Sequence, residues 1–454
     1  MGKGAYISVG FMVSALLGGV AQAADTDKEK ELEARIEQLE RLVRELKATQ
    51  GATAATAPSA VAGAPAAPAT PAKPATAPVQ AASITPNALP NTRFSYSGFV
   101  KLDTMWSQYD DGEIADGSIG RDFFVPGAIP VGGADEGADL DAHIKQSRFI
   151  FGTDTDLENG RKLLSRLEVD LYGSSLGDER ATNTYGVQLR HAYIQYGNWL
   201  FGQTWSNFQD AGALPETADF IGVTDGTVFV RQPQVKYTRG PWSVSLENPE
   251  TVLTPFTGVG AGGVTRISSD DNDIPDLTLA YNWKVGTGYL RVAALARQLK
   301  YETTGVTAID NSEFAGSLSV AGKFNIGKDD VRFSFTGGEG FGRYVGVNFA
   351  NDAVLTATGE IDAISGWAGF IAYRHLWNAK LRTNLMYSLS DYDNDPLLTG
   401  LAVNKSSSSW AINAIYSPVS KLDFGLEWRW AEREIESGLD GSMQRLQGIV
   451  KYSF

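Results

Sequence analysis

The 454-residue sequence contains no cysteine and only three histidines, His143, His191 and His375. Without cysteine there is no disulfide framework, no thiolate metal site and no cysteine nucleophile. None of the histidines lies at metal-ligand spacing or in a serine-hydrolase arrangement. The sequence therefore predicts no enzyme, no metal site and no cofactor.

Long apolar runs are also missing. After residue 23, no stretch approaches the roughly 18 to 20 uncharged apolar residues that a transmembrane helix requires. The formal net charge of −14 argues against a nucleic-acid partner. If the protein lies in a membrane, it must cross that membrane with strands.

Residues 1–23 have the pattern of a secretory signal peptide. Lys3 supplies the positive start, residues 5–20 form the apolar run, and Ala21, Gln22 and Ala23 form a small-residue cleavage site. The pattern predicts export from the cytoplasm.

Residues 25–50 are predicted to form a short, highly charged helix with one apolar seam. The seam has heptad spacing, with β-branched residues at a and leucine at d, which favours a dimer. The segment from Arg35 to Glu40, however, resembles the trimerisation motif of short coiled coils. We expect a homotrimer, with a dimer or an isolated helix as alternatives. The predicted trimerisation residues are Arg35, Ile36, Leu39, Glu40, Val43 and Leu46, and Leu32 begins the seam.

Residues 51–92 are rich in alanine, proline and threonine, with prolines at 58, 65, 68, 71, 74 and 78. Proline at this frequency prevents helix formation, and the segment has little to bury. An extended linker is therefore predicted before the next domain.

From residue 93 to 454 the hydrophobic period changes to two, as in strands. The clearest example is 422–433, where Leu426 and Trp428 point to one face while Glu427 and Arg429 point to the other. Short connections alternate with long ones rich in Asp and Gly, which is typical of transmembrane barrels. The predicted fold is all-β, a transmembrane antiparallel β-barrel of about sixteen strands. The strands are expected near 94–109, 143–156, 161–173, 186–197, 199–206, 228–238, 242–248, 276–284, 288–301, 314–324, 329–337, 362–376, 379–389, 409–417, 421–433 and 443–454.

The sequence ends in Phe454, preceded by alternating apolar residues at 446, 450 and 452. A final strand of this kind resembles the signal that the outer-membrane barrel assembly machinery reads. The expected location is the outer membrane of a Gram-negative bacterium, with outer-membrane lipid around the barrel and the coiled coil in the periplasm.

If the apolar face of each strand meets lipid, the opposite face lines the lumen. Arg148 then lies opposite Phe149 and Phe151, and Arg190 lies opposite Leu189 and Tyr193. Fewer acids than cations share this face, so the predicted lumen is basic and favours small anionic solutes. The predicted pore-lining residues are Arg148, Arg166, Arg190, Arg291, Arg297, Lys323, Arg332, Arg382 and Arg429.

The acids concentrate in the long connections, and residues 110–141 alone contain nine acids and one arginine. The connection 207–227 is long enough to fold into the barrel and narrow it. Its Asp210, Glu216 and Asp219 would then face part of the arginine ladder. For any single arginine, pairing with such an acid explains its presence as well as solute binding does.

Four segments resemble the dicarboxylate (DcaP-like) porins: SGFVKLDTMWSQYD (97–110), HIKQSRFIFGTDTDLENG (143–160), LRHAYIQYGNWLFGQTWSNF (189–208) and RQPQVKYT (231–238). The resemblance implies a trimeric sixteen-stranded barrel with a periplasmic coiled coil that takes up small anions. It favours Arg148, Arg166 and Arg190 as the pore-lining positions. Glu168 and Asp170 share the inward face with Arg166, so the ladder is not purely basic.

Three other functions stay open from the sequence. An outer-membrane hydrolase would need a base beside a nucleophile, which the histidines do not supply. A tether between the outer membrane and the cell wall would use residues 25–50 but would not need a charged lumen. An unselective or cation-passing porin would share the fold and differ only in selectivity.

Overall fold

The computed structural model describes Arg41, Leu89 and residues 91–135, 137–173, 182–256, 266–305 and 308–454. The predicted signal peptide, the trimerisation residues of the coiled coil and nearly all of the linker lie outside the described residues. Their roles stay predictions.

Strands dominate the described residues. They are β1 (Thr92–Tyr109), β2 (Ala138–His143), β3 (Arg148–Asp156), β4 (Lys162–Gly173), β5 (Gly186–Tyr196), β6 (Trp199–Trp205), β7 (Arg231–Arg239), β8 (Trp242–Glu247), β9 (Thr251–Thr254), β10 (Ile267–Ser269), β11 (Asp276–Val285), β12 (Gly288–Glu302), β13 (Asp310–Ile326), β14 (Asp329–Glu339), β15 (Ala353–Leu355), β16 (Ile361–Ala363), β17 (Ser365–Leu376), β18 (Leu381–Asp393), β19 (Asn404–Val419), β20 (Leu422–Ile435) and β21 (Asp440–Ser453). Two short helices, α1 (Ile119–Asp122) and α2 (Pro396–Thr399), lie in long connections. Among the described residues, no helix has the length and apolar character needed to span a membrane.

Seventeen strands form one closed antiparallel sheet. The first half of β1 pairs with β3 and its second half with β2, so β2 and β3 together occupy one position in the wall. At the break between them, the Ser147 hydroxyl oxygen accepts the backbone N–H of Lys101 at 3.1 Å. The other edge of β1 pairs with β21, which closes the sheet. The predicted barrel of sixteen strand positions is confirmed.

The two faces of the wall differ as the alternation predicts. Along β20, the outward side chains of Leu426 and Trp428 are 54% and 43% exposed, whereas the inward Glu427 and Arg429 are each 2% exposed. In a membrane, hydrocarbon covers the outward side chains, and the backbone groups are satisfied between strands. The barrel therefore combines an apolar exterior with a charged interior.

One sequence-based assignment of faces, on β5, is wrong. Glu168 of β4 pairs with His191, and the next residue, Val169, pairs with Leu189, so Arg190 is an extra residue. Such a β-bulge places two consecutive side chains on one face and reverses the alternation beyond it. Tyr193 therefore shares the inward face of its partner Arg166 instead of facing outward with Leu189.

The long connections contain a second, smaller sheet that the sequence did not predict. β9, β10, β15 and β16 form it, with β15 parallel to β9. Buried Asp352 accepts the backbone N–H of Val252 at 2.9 Å and so ties two long connections together. These connections pack on one another at the end of the barrel opposite the short turns.

Phe454 joins the end of β21 to the start of the barrel. Its N–H donates to the carbonyl oxygen of Gly98 at 3.0 Å, its own carbonyl accepts from Gly98 at 3.2 Å, and its ring lies 5.2 Å from Tyr96. We expect Phe454→Ala to lower the yield of folded, membrane-inserted barrel severalfold, measured by heat-modifiable gel mobility of outer-membrane fractions. Tyr452→Ala, which truncates an exposed aromatic on the same strand, is the control. Equal yields for the two variants would contradict a special role of the terminal residue.

Candidate functional site

The connection between β6 and β7, residues 206–230, is here called loop L3, and it crosses the lumen. The Gly226 N–H donates to the Ser388 hydroxyl on β18 at 2.9 Å. The Ala218 N–H donates to the carboxylate of Glu427 on β20 at 2.8 Å. In a barrel of sixteen positions, β18 and β20 lie on the side opposite β6 and β7. Loop L3 therefore divides the interior into two halves.

The three acids predicted to face the ladder have different contacts. Glu216 accepts from Arg382 through Nε at 2.7 Å and Nη2 at 2.5 Å. Asp219 accepts backbone N–H groups instead, and Asp210 accepts the N–H of Gly212 at 3.0 Å within a short 3-10 turn. Of the three, only Glu216 forms an ion pair with a predicted pore-lining arginine within the described residues.

Residues 110–135, in the connection between β1 and β2, also fold inward and are here called loop L1. The Phe124 N–H donates to Asp219 Oδ1 at 2.9 Å, and the Phe124 carbonyl accepts from the Thr224 hydroxyl at 3.1 Å. Wall arginines bind its backbone from the other side. Arg433 donates to the carbonyl of Ile129 at 2.6 Å, and Arg445 donates to that of Gly120 at 2.7 Å. Loop L1 therefore rests on loop L3, which the sequence did not predict.

Two buried aspartates of loop L3 have opposite pKa shifts. For Asp219, burial raises the pKa, but the charges of Arg429 and Arg445 and two backbone N–H bonds outweigh it, so the pKa is below its usual value. For Asp225, burial raises the pKa, and hydrogen bonds from Ser407 and Ser409 only partly offset that rise. Of these two aspartates, only Asp219 therefore stabilises loop L3 in its ionised form.

Three of the predicted pore-lining arginines are almost fully buried in ion pairs. Arg190 donates to Glu168 at 3.0 Å and to Asp170 at 2.7 Å. The Arg297 side chain is fully buried between Asp276 at 3.4 Å and Asp352 at 2.9 Å. Arg429 donates to Glu427 at 2.8 Å and stacks on Phe124, 4.7 Å from the ring centre. These contacts occupy the guanidinium groups and make them supports of the wall and loops.

Two other predicted pore-lining cations, Lys323 and Arg332, form one basic stretch of wall across β13, β14 and β17 together with Arg374, which is outside the predicted set. The three cations of this stretch share the carboxylate of Asp330. That carboxylate lies 3.8 Å from Lys323, 2.7 Å from Arg332 and 2.5 Å from Arg374. Next to it on β12, Arg291 donates to the backbone carbonyl of Asn207 and to the side-chain oxygen of Asn282, and it forms no ion pair within the described residues. This stretch therefore carries net positive charge.

On the opposite wall, a cavity of about 230 Å³ lies beneath loop L3. Arg148 and Lys451 stand over the Phe99 ring, at 5.2 and 4.8 Å from its centre. Arg148 is 3.3 Å from Glu168, and Lys101 is 2.9 Å from Asp103. Lys451 has no ion pair with a described residue. Arg166, farther down this wall, is exposed and likewise unpaired there.

Lys101 and Lys451 also line the lumen but are not among the residues predicted from the sequence. Both could have been found by the alternation used elsewhere, because Lys101 lies between outward Val100 and Leu102, and Lys451 follows outward Val450. Neither lysine has another cation close to it on its own strand, so the sequence shows no cluster of basic residues around either of them.

The histidines take part in hydrogen bonds of the wall. His143 bonds the carbonyl of Asp122 at 2.9 Å, His191 the hydroxyl of Thr204 at 2.9 Å, and His375 the carboxylate of Asp329 at 2.9 Å. Within the part of the chain that the structure describes, no group of three or more potential ligand residues is placed to hold a metal ion.

A closed barrel of sixteen strand positions with an apolar exterior, a charged interior and an inward-folded third loop has the architecture of an outer-membrane porin. The sequence model of the DcaP outer membrane protein family matches residues 91–454. The chain belongs to that family. Its barrel is therefore an outer-membrane β-barrel of the porin class.

Solved structures resemble the chain in fold. The outer membrane channel DcaP of Acinetobacter baumannii has 23% identity and a TM-score of 0.64, covering 80% of this chain and 98% of that one. An anion-selective porin from Comamonas acidovorans has 10% identity and a TM-score of 0.47, covering 80% and 100%. OmpT of Vibrio cholerae, in a trimer form, has 10% identity and a TM-score of 0.47, covering 80% and 99%. No match was found among curated proteins.

A substitution at Gly226 tests how tightly loop L3 is held. A Cβ there would overlap the carbonyl group of Gly369 on β17. We expect Gly226→Ala to displace the loop, lower stability by about 1–3 kcal/mol and change single-channel conductance. Gly127→Ala in loop L1 is the control, because its Cβ would meet nothing closer than 3.6 Å. Unchanged conductance in the Gly226 variant would argue against loop L3 as the constriction.

The pKa difference between Asp219 and Asp225 generates a paired test. Asp219→Asn places an amide NH₂ against backbone N–H donors, so we expect a loss of about 1–3 kcal/mol in thermal unfolding of the detergent-solubilised protein. Asp225→Asn should cost less, because the hydroxyls of Ser407 and Ser409 can rotate. The Asp219 contribution is present above its unfolded pKa of about 3.9 and is lost as the pH falls through the lower folded value. Equal losses for both variants at neutral pH would contradict this assignment.

Proposed function

We propose that this porin admits small anionic solutes, such as dicarboxylates, by passive diffusion through its basic lumen. The main support for the proposal is the basic wall at Asp330, where three cations, Lys323, Arg332 and Arg374, share a single carboxylate. Lys451 and Arg166, which form no ion pair with a described residue, add positive charge on the opposite side.

Elementary electrostatics explains why these residues favour anions. A pore lined by one sign of charge and bounded by a low-dielectric wall focuses the field and concentrates counter-ions. Arginine adds a fork of N–H donors that holds a carboxylate with two parallel hydrogen bonds. A solute with two carboxylates can meet the basic stretches on both walls in turn.

The acidic net charge of the chain does not oppose this proposal. Four carboxylates, two from loop L1 and two from β2, lie around the single guanidinium of Arg121, at 3.1 to 3.8 Å. Exposed charges are screened beyond about 8 Å in physiological salt. The acids at the long-loop end therefore act locally, whereas the enclosed cations act along the solute path.

We further propose a homotrimer in the outer membrane, with the coiled coil of residues 25–50 in the periplasm. Arg35 and Glu40 would pair between chains over a core of Ile36, Leu39 and Val43, extended by Leu46. The barrel assembly machinery and the outer-membrane lipid are the expected partners of the barrel itself. A tether to the cell wall is the alternative for the N-terminal segment.

Lys451 offers a clean test of selectivity, because neutralising it leaves no described carboxylate unpaired. Removing a unit positive charge about 5 Å from the solute path weakens the attraction of an anion by roughly 0.8 kcal/mol in a water-like dielectric. That loss corresponds to a roughly fourfold decrease in the ratio of anion to cation permeability. We expect the full-length wild type to give an anion-selective reversal potential in a KCl gradient, and Lys451→Gln to shift it toward zero. The measurement is repeated with succinate as the anion.

Lys380→Gln is the matched control, since Lys380 is exposed in a short turn. A cation-selective wild type would overturn the proposal and leave the cation-passing alternative. A purified protein with no conductance steps would instead favour the tether.

A further inference from the structure

Arg239, the last residue of β7, is an outward-facing cation at the rim of the barrel. It pairs with Trp242 of β8, and residues paired directly across antiparallel strands point to the same face. Trp242 is 51% exposed on the outward face. Arg239 is exposed as well, and its side chain forms no ion pair or hydrogen bond with a described residue. Because it points away from the lumen, Arg239 lies outside the solute path.

The short turns around Arg239 carry positive charge and no acid. The backbone N–H of Asn282 on β11 donates to the carbonyl of Pro241 at 3.0 Å, so Lys284, two residues further along β11, reaches the level of Arg239. The three neighbouring turns, residues 197–199, 239–241 and 284–287, contain these two cations and no carboxylate. This part of the rim is therefore positive and lacks a counter-ion of its own.

A band of aromatic side chains lies next to these cations on the outward face. Trp199 lies 4.8 Å from Tyr237. Tyr281 lies 4.5 Å from Trp242 and 4.2 Å from Trp283. Tryptophan and tyrosine concentrate where hydrocarbon meets the lipid headgroups, because each ring combines an apolar body with a polar N–H or O–H. The band therefore marks the headgroup level, and the end of β7 extends to its aqueous side.

Farther from the rim, the same four strands present exposed apolar side chains to the outside. These are Phe201, Val235, Val244, Leu246, Leu277 and Leu279. Apolar surface, amphipathic rings and positive charge thus follow one another along the wall, in the order of acyl chains, glycerol and phosphate in a phospholipid. The outward face of β6, β7, β8 and β11 is here called the Arg239 sector. Short turns of such barrels lie in the periplasm, so the sector meets the periplasmic leaflet.

A second copy of this chain fits the Arg239 sector less well than a lipid does. Barrels side by side in one membrane bring their short turns to the same level. The four short turns outside the sector also carry cations, at Arg161, Lys328, Lys380 and Lys421. Like charges placed against one another oppose association. A lipid phosphate supplies the missing negative charge at the level where the sector needs it.

We propose that the Arg239 sector binds an anionic glycerophospholipid of the periplasmic leaflet, with the lipid phosphate at Arg239. The guanidinium fork donates N–H groups to the phosphate oxygens. The charge of Lys284 adds attraction for a headgroup with a net negative charge. The rings of Trp242 and Tyr281 contact the glycerol region, and the acyl chains lie along the apolar side chains. The proposal rests on the membrane location of the barrel and is independent of its ion selectivity.

The test uses the full-length protein in detergent after residual lipid has been washed away. The probes are dioleoyl phosphatidylglycerol, which is anionic, and dioleoyl phosphatidylcholine, which has the same chains and a zwitterionic headgroup. Native mass spectrometry counts the lipids retained, and the melting temperature is measured in mixed micelles of each lipid. The variants are Arg239→Gln and Arg239→Lys.

Arg161→Gln is the matched control. It removes the same charge from another exposed arginine at a short turn. Unlike Arg239, Arg161 has a partner, because its guanidinium donates to the Tyr196 hydroxyl at 3.1 Å, and Glu158 lies in the same turn. General attraction of anionic lipid to the rim would make both substitutions act alike.

We expect the wild type to retain phosphatidylglycerol in preference to phosphatidylcholine and to melt at a higher temperature with it. Arg239→Gln should weaken this retention about fivefold, as one cation at an anionic membrane surface does, and Arg161→Gln should not. Arg239→Lys should fall between, because lysine keeps the charge and loses the fork. Raising KCl from about 0.1 M to about 1 M shortens the Debye length from about 10 Å to about 3 Å and should reduce the difference in melting temperature.

Equal retention of the two lipids by the wild type would overturn the proposal, and so would equal losses in Arg239→Gln and Arg161→Gln. If Arg239→Gln separates the oligomer while lipid retention stays unchanged, a second copy covers the Arg239 sector and the proposal is wrong. If Arg239→Gln does not fold, the salt dependence of the wild type decides, and a difference in melting temperature that salt leaves unchanged would contradict the site. A cation-selective reversal potential would overturn the proposed function and leave this site intact.

Discussion

The pairing of β1 with β21 is the constraint on which the rest of the structure depends. Hydrocarbon offers no water to the backbone, so a spanning sheet with a free edge would leave a row of N–H and C=O groups unsatisfied. Phe99 to Tyr109 pair with Ser453 back to Met443 and remove that edge. Closure fixes the number of strands around the lumen. It also fixes which side chain of every strand points inward, and this decides where the charges lie.

Closure creates an interior, and the long loops fill part of it. The cations of the wall fall into two groups according to what they bind. Those near the long loops bind loop backbone or buried acids, as Arg433 does with Ile129 and Arg297 with Asp276 and Asp352. Those below loop L3 have fewer acids to bind. A buried arginine paired with an acid contributes little net field, whereas an arginine with a shared or missing acid contributes nearly its full charge. In the proposed anion pathway, selectivity therefore depends on the minority of cations that share an acid or have none among the described residues.

Much of this architecture could be predicted from the sequence, because strand alternation and the alternation of turn lengths are local patterns. All sixteen expected strand regions correspond to wall strands, and β13 (Asp310–Ile326) and β19 (Asn404–Val419) are merely longer than expected. That Glu216 would face part of the arginine ladder was expected from loop length and charge, but its particular partner, Arg382, was not.

Other features could not be predicted, since they depend on contacts between distant segments. Nothing around residue 124 in the sequence indicates that a backbone N–H there will donate to Asp219, 95 positions away. A bulge at Arg190 has no signature in one sequence, because the glycine or proline that often marks such a site is absent. The partition of arginines into paired and unpaired sets follows from these contacts. Counting basic residues on the inward face therefore overestimates the charge that a solute meets. The estimate improves only when each carboxylate is assigned to its cations, as with Asp330, whose single charge is spread over three.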